Sequence, residues 1–166
     1  MPGGDVPGDD VSGDGVPPLP CPEGESIISS PAMRLLADNR CFRLTEDARY
    51  TWCHATEEHD ALSLCIPEGF THDFASVPRL LWWFVGPVDL GLASIFHDWL
   101  YRHAGRVETL GRRIDDGEWE VIDTPWNRRD TDRLFARVMR EQGVSRFRRR
   151  AAFLAVQWFG GGGWRR

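Results

Sequence analysis

The apolar residues change their spacing once along this chain, and that change limits the folds open to it. Up to Ile66 they alternate. Cys41-Phe42-Arg43-Leu44, Arg49-Tyr50-Thr51-Trp52-Cys53 and Ala61-Leu62-Ser63-Leu64-Cys65-Ile66 put every second side chain on one face, as half-buried strands do. Thr45-Glu46-Asp47 separates the first two as a turn, and Pro67 and Gly69 stop the third. Farther on the spacing is helical. Residues 78–85 form a short apolar segment closed by Gly86-Pro87, and 92–103 predict a helix ended by Gly105. Residues 130–142 predict another, striped by Leu134, Phe135, Val138 and Met139, with Gly143 just past its end. Ser145 caps a last helix that carries Phe147, Ala151, Leu154 and Trp158 on one face. The glycine run 160–163 then reads as a flexible end. Strands first and helices later predict an α+β fold, with a small antiparallel sheet over residues 40–70 followed by a helical half.

Residues 1–26 obey neither period. They hold six Gly, six Pro and six acidic residues, with no basic one. Such a segment buries too little apolar surface to offset its ordering entropy and reads as a disordered acidic tail. Residues 27–166 read as a single α+β domain. Within it, 104–127 is too long for a structureless link and predicts an inserted loop or hairpin. Asp116-Gly117, between 106–110 and 119–122, marks its turn.

Charge is distributed unevenly. Removing the six tail acids from the formal −5 leaves +1 on the rest. From Arg128 onward, 11 Arg face only Asp130, Asp132 and Glu141. All 20 basic residues are Arg, which excludes a Walker-type phosphate loop and any Schiff-base lysine. No apolar run of about 18 residues exists, so no membrane span is expected. No signal peptide is visible, which predicts a chain that is cytoplasmic as synthesised. The four Cys (21, 41, 53, 65) lack Cys-x-x-Cys spacing and read as reduced thiols. Cys53, His54, His59 and Cys65 do not have zinc-finger spacing. The run Ser145-Arg146-Phe147-Arg148-Arg149-Arg150 would suit phosphates, but it reads as a solvated helix face, and nucleic acid is not the expected partner.

Three stretches hold side chains suited to chemistry. In Phe96-His97-Asp98-Trp99-Leu100-Tyr101-Arg102, His97 and Tyr101 share a helical face, as do Asp98 and Arg102. An imidazole, a carboxylate and a phenol within two turns make a base with its orienting partner, or a metal site. They equally make a satisfied core histidine and an ordinary helix ion pair. In Thr71-His72-Asp73-Phe74-Ala75-Ser76-Val77-Pro78-Arg79, His72 and Asp73 fall in a strand-to-helix turn, with Ser76 at the cap and Arg79 beside it. The alternative is a carboxylate that only braces the turn. Asp132 lies on the apolar side of its helix and needs a partner, either Arg128 at i−4 or a histidine such as His97 on a facing helix. Against this stands a helix-N-terminal acid favoured by the macrodipole.

The ordered blocks Gly69-Phe70, Asp73 to Arg79, His97-Asp98-Trp99-Leu100-Tyr101, Arg128 with Asp132 and Phe135, and Val156 to Trp164 resemble the domain-of-unknown-function 1353 family over roughly residues 30–166. That family occurs in tailed phages and prophages and has no settled activity. The resemblance implies a phage-derived protein, virion-associated in one version, with other phage structural proteins or cell-envelope material as partners. His72 stands where the family more often has a small hydroxyl residue, and 104–127 exceeds the usual link, which would let it cover a site at His97 as a lid. His97-Asp98-x-x-Tyr101 also resembles the catalytic helix of secreted phospholipases A2, where the His activates water, the Asp binds calcium and a second Asp orients the His. The disulfide framework and Gly-rich calcium loop of those enzymes are absent here. The resulting expectation is a hydrolase-like site acting on the cell envelope. His97, Asp98, Asp132 and Tyr101 would be catalytic. Asp73, His97 and Asp98 would bind a divalent metal, calcium or zinc. His72, Ser76, Arg79 and Arg128 would support them. The competing expectation is a non-catalytic virion or tail-associated protein in which the same residues form a buried polar network.

Overall fold

A computed structural model describes residues 26–37, 41–54, 56–72, 87–123 and 126–164. The fold is α+β. The strands are β1 (Ile27–Ile28), β2 (Met33–Leu35), β3 (Phe42–Leu44), β4 (Ala48–Cys53), β5 (His59–Ile66), β6 (Thr71–His72), β7 (Thr109–Arg113) and β8 (Trp119–Ile122). The helices are α1 (Pro87–Arg102), α2 (Arg128–Glu141) and α3 (Arg146–Phe159), the last followed by a 3-10 turn at Gly160–Gly162. Residues 1–25 of the expected tail lie outside the described residues, as do the segment 78–85 and Asp73, Ser76 and Arg79.

Pairing is antiparallel throughout, but it builds two sheets rather than the one expected over 40–70. Five strands run in the order β1-β4-β5-β7-β8, and three in the order β2-β3-β6. The turn at Thr45-Glu46-Asp47 does not make a hairpin of β3 and β4. It passes the chain from one sheet to the other. In the larger sheet Tyr50 faces Leu64 and Trp52 faces Leu62. Tyr50, Trp52, Leu64 and Ile66 join Phe96 and Leu100 of α1 and Phe135, Val138 and Met139 of α2 in the core. β4 is buried on its other face too, where Thr51 Oγ1 meets Ser63 Oγ at 3.0 Å.

Within 104–127, β7 and β8 pair as a hairpin, and β7 also pairs with β5, so the hairpin widens the sheet. Its entry needs glycine. Gly105 has φ +72°, and a Cβ there would collide with the Trp126 carbonyl oxygen.

Two further expectations change. α3 buries Ala152, Ala155 and Val156, small side chains that allow close approach, while Phe147 and Trp158 are 73% and 74% exposed. The large-residue stripe thus faces solvent. The glycine run is also not a loose end. Its 3-10 turn presses on α1, where a Cβ at Gly160 would lie 2.9 Å from the Tyr101 hydroxyl oxygen.

Candidate functional site

α1 delivers His97, Asp98 and Tyr101, and α2 delivers Arg128 and Asp132. Four residues separate each of His97/Tyr101 and Arg128/Asp132, so each pair lies on one helical face. His97 Nε2 lies 3.1 Å from Asp132 Oδ1, and the Tyr101 hydroxyl donates to the same oxygen at 2.7 Å. The His97 ring packs against Tyr101 (4.1 Å between centroids) and Phe135 (5.0 Å). All are withdrawn from solvent: His97 and Asp132 are 2% exposed and Asp98 is 4% exposed.

Arg128 is not the partner of Asp132. Its Nε donates to the Tyr101 hydroxyl at 3.1 Å, and its Nη2 donates to the Val156 and Gln157 carbonyls at 3.2 and 2.6 Å. Those carbonyls belong to the last turn of α3, where the dipole favours a cation, and the Val156 carbonyl also accepts the Gly160 N–H. Arg128 thereby joins all three helices. Trp164 closes edge-on over Tyr101 at 5.0 Å.

The other His97 nitrogen differs. Nδ1 is buried with no hydrogen-bond partner, and Asp98 Oδ1 stands 3.9 Å away, within ion-pair range but beyond a hydrogen bond. Burial by itself would lower the His97 pKa. The hydrogen bond to Asp132, the close approach of Asp98 and the charges of the two carboxylates outweigh it and hold the imidazole above its ordinary value. Tyr101 is pushed well above the ordinary phenol range, first by burial and then by its bond to Asp132, so it stays a donor. When Nε2 carries the ring proton, Asp132 Oδ1 accepts its hydrogen bond and Nδ1 is the basic nitrogen of the neutral ring.

Asp132 also lines a cleft of about 390 Å³ with Arg128, Arg129, Gln157 and Trp158. Arg102 is not paired with Asp98 as an ion pair: its guanidinium lies 4.8 Å over the Phe70 ring. His72 is not part of this group. It is buried in β6, stacked on Phe42 and Phe70, with Nε2 3.4 Å from the Met33 sulfur. The hairpin 104–127 is anchored in the sheet by β5 and by the Trp126 Nε1 bond to Thr109 Oγ1 at 2.9 Å. Among the described residues no group of three or more metal-ligating side chains is present.

Sequence reasoning passed over a second constellation. His59 Nε2 lies 2.8 Å from Glu120 Oε1, beside a cleft of about 530 Å³ lined also by His54, Glu58 and Asp123. The Asp-Gly turn was the available signal, since closing that hairpin brings Glu120 back toward β5. Cys65 meets Asp47 (3.5 Å), so the cysteines and histidines of this region do not assemble as zinc ligands.

A model described as "Protein of unknown function (DUF1353)" matches residues 42–156, well over half of the chain. The chain belongs to that family. No curated protein and no solved structure matches it. Among the described residues no helix is long and apolar enough to cross a membrane.

Proposed function

We propose that the His97–Asp98–Asp132 group is the centre of a hydrolase, with water as its nucleophile and a phage-related cell-envelope substrate. The observation that carries this reading is the unpartnered Nδ1 of His97. An orphaned buried nitrogen costs about 1–3 kcal/mol, and a proton-accepting role at Nδ1 would account for that cost. Here Asp132 fixes the tautomer through Nε2, and Nδ1 stays available to accept a proton. In the reaction Nδ1 takes a proton from water as the oxygen attacks the substrate. Asp132 stabilises the imidazolium, which returns the proton to the leaving group.

In a second version of the site His97 Nδ1 serves as a ligand instead of a base, and with Asp98 it would hold a divalent cation, calcium or zinc. Asp73 is the proposed third carboxylate and lies outside the described residues. In that version the cation would activate the water in place of His97.

The test is thermal melting of wild type and His97→Ala with chelator and with added calcium, zinc or manganese, together with hydrolysis assays on phospholipid and peptidoglycan. A metal that raises the melting point of wild type alone, with turnover lost in the variant, is the expected result. No metal shift and no turnover would overturn the reading. The near-complete burial of His97, Asp98 and Asp132 favours a second reading, a non-catalytic virion or tail-associated protein specified by this network. It expects a large fall in melting point for His97→Ala with no metal effect.

A further inference from the structure

The exposed face of α3 carries chemistry that the His97 site does not use. Phe147, Leu154 and Trp158 fall within about 40° of one another at 100° per residue, and both aromatic rings are largely in solvent. Arg146 and Arg150 both lie along one side of the stripe and are exposed. No acidic residue occurs from Gln142 to the last residue given, Arg166. The face is therefore both aromatic and cationic.

The opposite chemistry lies in the first 25 residues. All six acids of that end are there, without a basic residue, and they bracket Pro17-Pro18-Leu19-Pro20-Cys21-Pro22. Proline-rich sequence loses little entropy on binding, and aromatic side chains are its usual platform. The place where this segment joins the fold is fixed. The Ser26 hydroxyl donates to Glu141 Oε1 at 2.9 Å, and Glu141 is the last residue of α2, four residues of connection before α3 begins. Its 25 residues give a reach on the order of 25–30 Å by random-coil scaling, against about 21 Å for the whole of α3. The tether holds the segment at an effective concentration on the order of millimolar, so weak contacts suffice.

We infer that the N-terminal acidic, proline-rich segment of this same chain docks on the Arg146–Phe147–Arg150–Leu154–Trp158 face of α3. Its acids pair with the arginines and its prolines lie on Phe147 and Trp158. A second copy is disfavoured as occupant because it would bring Arg146 and Arg150 against their own kind.

Nuclear magnetic resonance of the full chain tests this at the Trp158 indole N–H, identified by its loss in Trp158→Phe. The comparison chain is full length with Asp5→Asn, Asp9→Asn, Asp10→Asn, Asp14→Asn, Glu23→Gln and Glu25→Gln. The expected result is a different Trp158 signal in the two chains at low salt. In wild type that signal moves to the neutral variant's position at about 0.5 M salt. A synthetic peptide of residues 1–25 restores the wild-type position in the neutral variant, and binds at least about tenfold more weakly at the higher salt. Identical signals in both chains at low salt would overturn the inference. So would a signal that depends on protein concentration, which means a second copy. Equal binding of anionic vesicles or a polyanion to both chains would also overturn it, since the face would then be open to outside partners.

Discussion

His97 on α1 and Asp132 on α2 meet Nε2 to Oδ1 at 3.1 Å, and that one oxygen also accepts the Tyr101 hydroxyl. Two buried donors therefore depend on one acceptor. Asp132→Ala is expected to lose about 3–5 kcal/mol of stability in urea unfolding, because it strands both donors. Asp132→Asn keeps an oxygen acceptor and is expected to lose about 1–3 kcal/mol. A loss below about 1 kcal/mol for the alanine variant would show that the shared acceptor contributes nothing.

The same contact sets a pH dependence. The folded-state pKa of His97 is raised, so the stability it adds is complete below the unfolded value of about 6.5 and is lost as pH rises through the folded value. With metals chelated, the stability gap between wild type and His97→Gln is expected to shrink as pH climbs from about 6 toward alkaline. A gap that widens with pH would mean that the native imidazole is neutral.

Gly160 and Gly162 separate close approach from mere flexibility. A Cβ at Gly160 meets the Tyr101 hydroxyl oxygen at 2.9 Å, whereas one at Gly162 meets nothing within 4 Å. Gly160→Ala is expected to cost about 1–3 kcal/mol, and Gly162→Ala to stay within about 0.5 kcal/mol of wild type. Calorimetric melting of the two variants checks both, and equal effects would refute the contact.

Tyr50 ties the sheet to α2 by donating to Glu141 Oε2 at 2.7 Å, and burial followed by that bond raises its pKa far above the ordinary phenol value. Tyr50→Phe is expected to cost about 1 kcal/mol. A double-mutant cycle with Glu141→Gln should return a coupling of similar size, and additive losses would show that the bond has no net worth.

The change of period made the α+β class legible, because burial of one face imposes two or 3.6 residues on the apolar spacing. Strand partners were not legible: a turn at 45–47 looks the same whether it closes a hairpin or moves the chain between sheets. On α3 the periodicity revealed a stripe but not the side that is covered. Ala152, Ala155 and Val156 form the contact, and small residues carry little weight in a hydrophobic pattern. Asp132 announced that it needed a partner by lying on an apolar face. The role of Arg128 in holding Tyr101 and the end of α3 had no local signal, since it depends on how three helices meet. Glycines 160–163 were ambiguous, for the missing side chain signals freedom in sequence and proximity in space.

The hairpin that separates α1 from α2 also bears on how the chain reaches this state. His97 and Asp132 are 35 positions apart, and a slack connection of that length would have to be closed at its full entropic cost. With β7 and β8 laid on β5, the slack reduces to the short links on either side of the hairpin. Sheet extension therefore comes before helix docking in the cheapest order of assembly, and a chain whose hairpin detaches would lose the meeting of His97 with Asp132 in the same cooperative event.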